Sequence, residues 1–120
     1  MKFFVIDDDP DMIELVTALL EAAGHSVSSS LAGTDAIPRI ASRIPDCVLT
    51  DLMMAELDGL QLCRELRARA DLSGIRIVIV SARTHDYWRE RAREAGADGY
   101  VTKPLDPAAF VGQVVDIIGD

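Results

Sequence analysis

Positive charge is scarce in this sequence. Twelve Lys and Arg stand against twenty Asp and Glu, giving a net charge of −8 over 120 residues. Neutralising nucleic-acid phosphates needs a cationic face, so this balance argues against a direct nucleic-acid partner. Cysteine is equally sparse. Cys47 and Cys63 sit in apolar surroundings without metal-ligand spacing, and they read as reduced core thiols rather than a disulfide. No apolar stretch approaches the length of a membrane span. The opening Met1-Lys2-Phe3-Phe4-Val5-Ile6-Asp7 meets acid too early for a secretory signal. A cytoplasmic protein without membrane attachment is therefore expected. Repeats, linkers and low-complexity segments are missing, and His25 and His85 fall in no pattern that assigns them a role.

What is present is a 49% hydrophobic and 27% charged composition, that of a globular protein. The length suits one domain over residues 1–120, with a core of useful size. Five apolar runs alternate with five helical patterns. Phe3-Phe4-Val5-Ile6 is the first run. Asp9 can cap the helix that follows, with Pro10 at its first position. Met12, Leu15, Val16, Leu19, Leu20 and Ala23 then recur at helical spacing until Gly24. The run 25–31 is polar, which suggests a sheet edge. A short helix over 33–42 follows, and Pro38 near its start predicts a late beginning or a kink.

Cys47 to Thr50 is the third run. A helix opened by Asp58-Gly59 follows it, with Leu60, Cys63, Leu66 and Ala70 on one face. The branched run 75–80 suits a parallel sheet covered on both sides. Helices over 84–95 and 106–118 flank a last strand over 99–102. Such alternation predicts an α/β fold, a doubly wound parallel sheet with right-handed crossovers. Ligands of such sheets sit beyond the carboxyl ends of the strands.

The residues at those ends are chemical. The first run ends in Asp7-Asp8, the third in Asp51, the fourth in Ser81 and the fifth in Lys103. Taken singly, each has an ordinary reading: a helix cap, a strand-end hydroxyl, a solvated lysine. Together they make a cluster. Two carboxylates about 4 Å apart repel by roughly 4 kcal/mol at an effective dielectric near 20, so the cluster calls for a cation or protons. An oxygen-only ligand set beside an open loop suits Mg2+. With Lys103 nearby, the acidic site becomes an anion site, and a phosphoryl group is its natural occupant. A carboxylate there can act as a nucleophile.

At this point the chain resembles the receiver domain of two-component response regulators, similar to the chemotaxis response regulator. The matching stretches are Val5-Ile6-Asp7-Asp8-Asp9, Leu49-Thr50-Asp51-Leu52-Met53-Met54, Asp58-Gly59, Val80-Ser81-Ala82, Ala95-Gly96-Ala97-Asp98-Gly99-Tyr100 and Thr102-Lys103-Pro104. The resemblance implies a flavodoxin-like sheet of strand order 2-1-3-4-5 with five helices on both faces. It implies Asp51 as phosphoacceptor, taking phosphorus from a phosphohistidine of a histidine kinase or phosphotransfer protein, or from a small phosphodonor. Asp8, Asp51 and the backbone carbonyl of Met53 would bind Mg2+, and Asp7 would act through water on the metal. Ser81 and Lys103 would contact phosphoryl oxygens. Tyr100 would turn inward as Ser81 moves, altering the surface of the fourth helix, fifth strand and fifth helix that a protein target or C-terminal output domain reads. The Lys103-Pro104 bond would be cis. The product is a switch that catalyses only its own phosphorylation and slow dephosphorylation.

Two features depart from the family pattern. Ala55 stands where many receivers carry proline. The last helix holds no Lys or Arg, so the sequence gives no support to a salt-bridged dimer through the fourth and fifth helices. Trp88 reads as packing or as a reporter of the nearby Ser81 loop. Arg83, Arg89, Arg91 and Arg93, interleaved with Glu90 and Glu94, read as a solvated face or a partner contact. Rival functions are a haloacid-dehalogenase-like phosphatase, a flavodoxin-like binding module and a receiver that works without phosphorylation. The first wants its nucleophile after the first strand in an Asp-x-Asp-x-Thr/Val pattern, and Asp7-Asp8-Asp9-Pro10-Asp11 has Asp at the last position.

Overall fold

A computed structural model describes residues 1–119 of the protein. Its elements run β1 (Lys2–Ile6), α1 (Pro10–Ala22), β2 (Ser26–Ser30), α2 (Gly33–Arg43), β3 (Cys47–Asp51), α3 (Gly59–Ala68), β4 (Arg76–Ser81), α4 (Asp86–Ala95), β5 (Gly99–Thr102) and α5 (Phe110–Ile118). All strand pairs are parallel, and the sheet order is β2-β1-β3-β4-β5. The polar run Ser26–Ser30 is indeed an edge.

Strand alternation divides the core into two layers. Phe4, Ile6, Val48, Ile77 and Ile79 point to one face, where Ile40 of α2, Leu62, Cys63 and Leu66 of α3 and Ala92 of α4 close over them. Phe3, Val5, Cys47, Leu49, Val78 and Val80 point to the other, beneath Val16 and Leu20 of α1 and Phe110, Val114 and Ile118 of α5. Both cysteines are free and buried. Burial first, and nearby acidic charge second, push the Cys47 thiol up to about 12, so it stays protonated.

Helix ends follow local chemistry. Asp9 caps α1 by accepting from the Asp11 N–H at 2.9 Å, and Asp58 forms a capping box with Gln61 on α3. Several boundaries differ from the periodicity. α2 starts at Gly33 in spite of Pro38: in its second turn, Pro38 deprives only the carbonyl of exposed Thr34 of a donor. α4 starts at Asp86 rather than residue 84, because His85 caps it, Nδ1 accepting from the Tyr87 N–H at 3.0 Å. α5 starts at Phe110 rather than residue 106. Asp106 instead closes a turn, its side chain accepting from the Ala108 N–H at 3.0 Å. Leu15 is 38% exposed, and Ala23 and Ala70 lie past their helices on the surface.

Candidate functional site

Strand register brings the chemical residues together. Ile6 at the end of β1 pairs with Thr50, Asp51 at the end of β3 pairs with Val80, and Ser81 at the end of β4 pairs with Thr102. Asp7-Asp8, Asp51, Ser81 and Lys103 therefore leave the sheet side by side at its carboxyl edge. One oxygen from each of Asp7, Asp8 and Asp51 lies within 4.8 Å of the others. Lys103 Nζ donates to Asp7 Oδ2 at 2.9 Å and lies 3.5 Å from Asp51 Oδ1.

The electrostatics are those of an unbalanced acid cluster. Asp7 is buried and Asp51 nearly so, while Asp8 is exposed. Burial, then the charge of Asp7, raises the carboxyl of Asp51 above the usual range, against the opposing pull of Lys103 and the Leu52 N–H. Burial alone would lower the Lys103 ammonium. The hydrogen bond to Asp7 and the field of Asp51 outweigh it, and the net direction is up. One lysine thus faces three carboxylates. Hard oxygen donors, one of them open to solvent, with negative charge left over, fit a hard divalent cation.

The loop after β3 is fixed by a close approach at Gly59, whose N–H donates to the Leu52 carbonyl at 2.9 Å. A Cβ there would collide with the Asp51 carbonyl, which explains a glycine at the start of α3. Met53 lies in this loop with an exposed side chain. Ser81 is buried, and its Oγ accepts from the Arg83 N–H at 3.1 Å. Lys103 N–H donates to the Ser81 carbonyl at 2.8 Å, and the Lys103-Pro104 bond is cis.

Tyr100 stands apart from the carboxylates. Its hydroxyl donates to the Arg83 carbonyl at 2.6 Å, and the Arg89 guanidinium lies 4.9 Å from its ring centre. Arg83 precedes α4, and its guanidinium lies 5.5 Å from the ring centre of Trp88.

The family model for the response regulator receiver domain matches residues 3–115. The chain belongs to the response regulator receiver family. It is 36% identical over 113 residues to the DNA-binding response regulator MtrA of Mycolicibacterium smegmatis, covering 94% of this chain and 48% of that protein. It is 34% identical to the phosphate regulon transcriptional regulatory protein PhoB of Rhizobium meliloti, over 94% of this chain and 50% of that one. The chain spans about half the length of the curated relatives it matches. Among solved structures, the BeF3-activated N-terminal receiver domain of Klebsiella pneumoniae RstA superposes with a TM-score of 0.88 at 29% identity, over 100% of both chains.

The receiver fold accounts for the flavodoxin-like strand order, and these relatives lend no support to a phosphatase. Receiver domains are signalling switches rather than turnover enzymes, and they bind Mg2+ at an acidic pocket; in this chain Asp7, Asp8 and Asp51 form an acidic cluster. No helix among the described residues is long and apolar enough to cross a membrane.

Two structural residues were not evident from the sequence. Arg67 of α3 donates to the carbonyls of Gly96, Ser73 and Ile75 at 2.9, 2.8 and 2.5 Å and to Asp98 Oδ2 at 2.9 Å. His85 is a helix cap. The partners of Arg67 come from loops up to 31 residues away, whereas the His85 cap is local, to the Tyr87 N–H, but histidine is not among the residues that mark a helix start.

Proposed function

We propose that Asp51 is the phosphoacceptor of a two-component signalling switch acting over residues 1–120. The single observation that carries this is the placement of one amine, Lys103, against Asp7 and Asp51 inside a cluster of three carboxylates. In this reading Asp8, Asp51 and the Met53 carbonyl hold Mg2+, with Asp7 acting at one remove through water. The metal supplies positive charge against the anionic phosphoryl oxygens.

Asp51 brings a carboxylate oxygen to phosphorus. The new O–P bond forms as the P–N bond of a phosphohistidine breaks, and the imidazole leaves with the electron pair. Lys103 pairs with one phosphoryl oxygen, and the Ser81 hydroxyl donates to another. Ser81 can do so while still accepting from Arg83, because a hydroxyl has one proton and two lone pairs. A small phosphodonor serves in the same way, with its own leaving group. Water later attacks the acyl phosphate slowly, and the chain turns over nothing else.

Movement of Ser81 toward the new phosphoryl group would carry the Arg83 segment, and with it Tyr100, altering the surface of α4, β5 and α5. Partners in this reading are a histidine kinase or phosphotransfer protein upstream and a protein target or output domain downstream, with the cytoplasm as compartment. The BeF3-activated state named for the RstA receiver supports phosphoryl-like activation of the family site.

The test is intact-mass measurement after incubation with acetyl phosphate and Mg2+. Wild type should gain one phosphoryl mass, and Asp51→Ala should gain none. A gain in both, or in neither, overturns the assignment.

A further inference from the structure

We infer that Gly33, in the first turn of α2, is a positioning residue for the loop between Asp51 and α3. The inference rests on the Mg2+ reading above and extends it to an element that carries none of the acids. Gly33 is buried and has no left-handed backbone, so glycine is not required there by conformation. It is required by contact: a Cβ at Gly33 would lie 2.5 Å from the Leu57 carbonyl oxygen and 3.1 Å from the Leu57 Cβ. The adjacent Thr34 hydroxyl reaches Glu56 Oε2 at 3.5 Å. The helix start thus lies directly against the loop.

A methyl group at residue 33 would have to displace the Leu57 carbonyl by roughly 1 Å to restore ordinary contact. α2 cannot easily give way, because Ala36 and Ile40 anchor it with 0% exposure. The far end of the loop cannot give way either, because Gly59 is lodged against the Asp51 carbonyl. The displacement therefore falls on the stretch 53–56, where Met53, Ala55 and Glu56 are exposed and less tightly packed than the two ends. That stretch includes the Met53 carbonyl. Mg2+ demands near-octahedral ligands at about 2.0–2.1 Å, so a shift of this size is not absorbed.

The experiment is calorimetric titration of Mg2+ into the whole chain as wild type, Gly33→Ala and Ala36→Gly. The Ala36→Gly variant weakens α2 without placing a methyl group against the Leu57 carbonyl. Gly33→Ala should bind Mg2+ about 10-fold or more weakly, the usual scale for losing an outer support of a metal site. Ala36→Gly should lower the melting temperature and leave affinity within roughly twofold. Gly33→Ala that binds like wild type overturns the positioning role while leaving the Mg2+ site intact. Wild type that ignores Mg2+ overturns the site itself, and the positioning role with it. Should Gly33→Ala fail to fold, hydrogen exchange on wild type decides. Mg2+ should slow exchange at residues 33–35 together with 53–57, and protection confined to 53–57 overturns the proposal.

Discussion

Asp51 is a carboxylate held where ionisation is costly. Its carboxyl is raised by burial and by Asp7, which means that the folded protein binds this proton more tightly than the unfolded chain does. The stabilising contribution is fully present below the unfolded carboxyl range and is lost as pH rises through the raised value. At neutral pH, without a cation, ionised Asp51 works against the fold. Asp51→Asn should therefore melt a few degrees higher than wild type in chelator at pH 7, and the gap should close as pH falls toward 4, near the unfolded carboxyl value. Mg2+ should raise the melting temperature of wild type more than that of the variant. A gap that is absent or reversed in a pH series of melting curves would refute this account of the charge. Arg67 illustrates the opposite case, a charge that is fully used. It joins α3 to three carbonyls and to Asp98. Hydrogen bonds from a charged donor contribute roughly 1.5–3 kcal/mol apiece and do not add simply. Arg67→Met should cost about 3 kcal/mol, measured by urea denaturation. The two residues also differ in how readable they are. Asp51, like Asp7, Ser81 and Lys103, follows a run of β-branched or apolar residues, so the topology rule for parallel sheets locates it. Arg67 takes its meaning from loops that no local pattern connects to it.

Elements were legible where periodicity met a capping residue, as at Asp9-Pro10 and Asp58-Gly59, and less so where the cap was unusual. His85 is a rare cap, and Asp106 builds a turn that imitates a helix start; both misplace a boundary by a few residues. The exposed Leu15 belongs to the same class, because helical spacing marks a stripe without saying how wide the sheet beneath it is. α2 ends in a way no pattern indicates. Ile44 closes it with φ 47°, ψ 71°, a left-handed cap on a β-branched side chain that is 45% exposed. The left-handed region costs an L-residue about 1–2 kcal/mol, and glycine is the usual occupant of such caps. Replacement by glycine recovers that cost, against some lost burial and a freer unfolded chain. Ile44→Gly should accordingly stabilise the protein by about 0.5–1 kcal/mol, seen as a higher urea midpoint with an unchanged slope. A lower midpoint would mean that the half-buried Ile44 side chain contributes more than its backbone loses.

Across the whole molecule, the acid pocket and α4 are joined by one short segment. Ser81 at the tip of β4 accepts from the Arg83 N–H, the Arg83 carbonyl accepts from Tyr100 on β5, and the Arg83 guanidinium rests over Trp88 of α4. Tyr87 meets the same indole edge-on, with ring centres 5.0 Å apart. A displacement of Ser81 therefore has a mechanical route to the single tryptophan of the chain. Cation–aromatic contacts at exposed sites contribute about 0.5–1 kcal/mol, weak enough for the guanidinium to be moved by a change in the backbone that carries it. Acetyl phosphate with Mg2+ should then alter Trp88 emission in wild type and leave Asp51→Ala unchanged. Arg83→Ala removes the cation but keeps the backbone and Asp51, so it should still gain phosphoryl mass while its emission change shrinks by at least about half. If wild type gains the phosphoryl mass with no change in emission, the segment through Arg83 does not couple the pocket to Trp88.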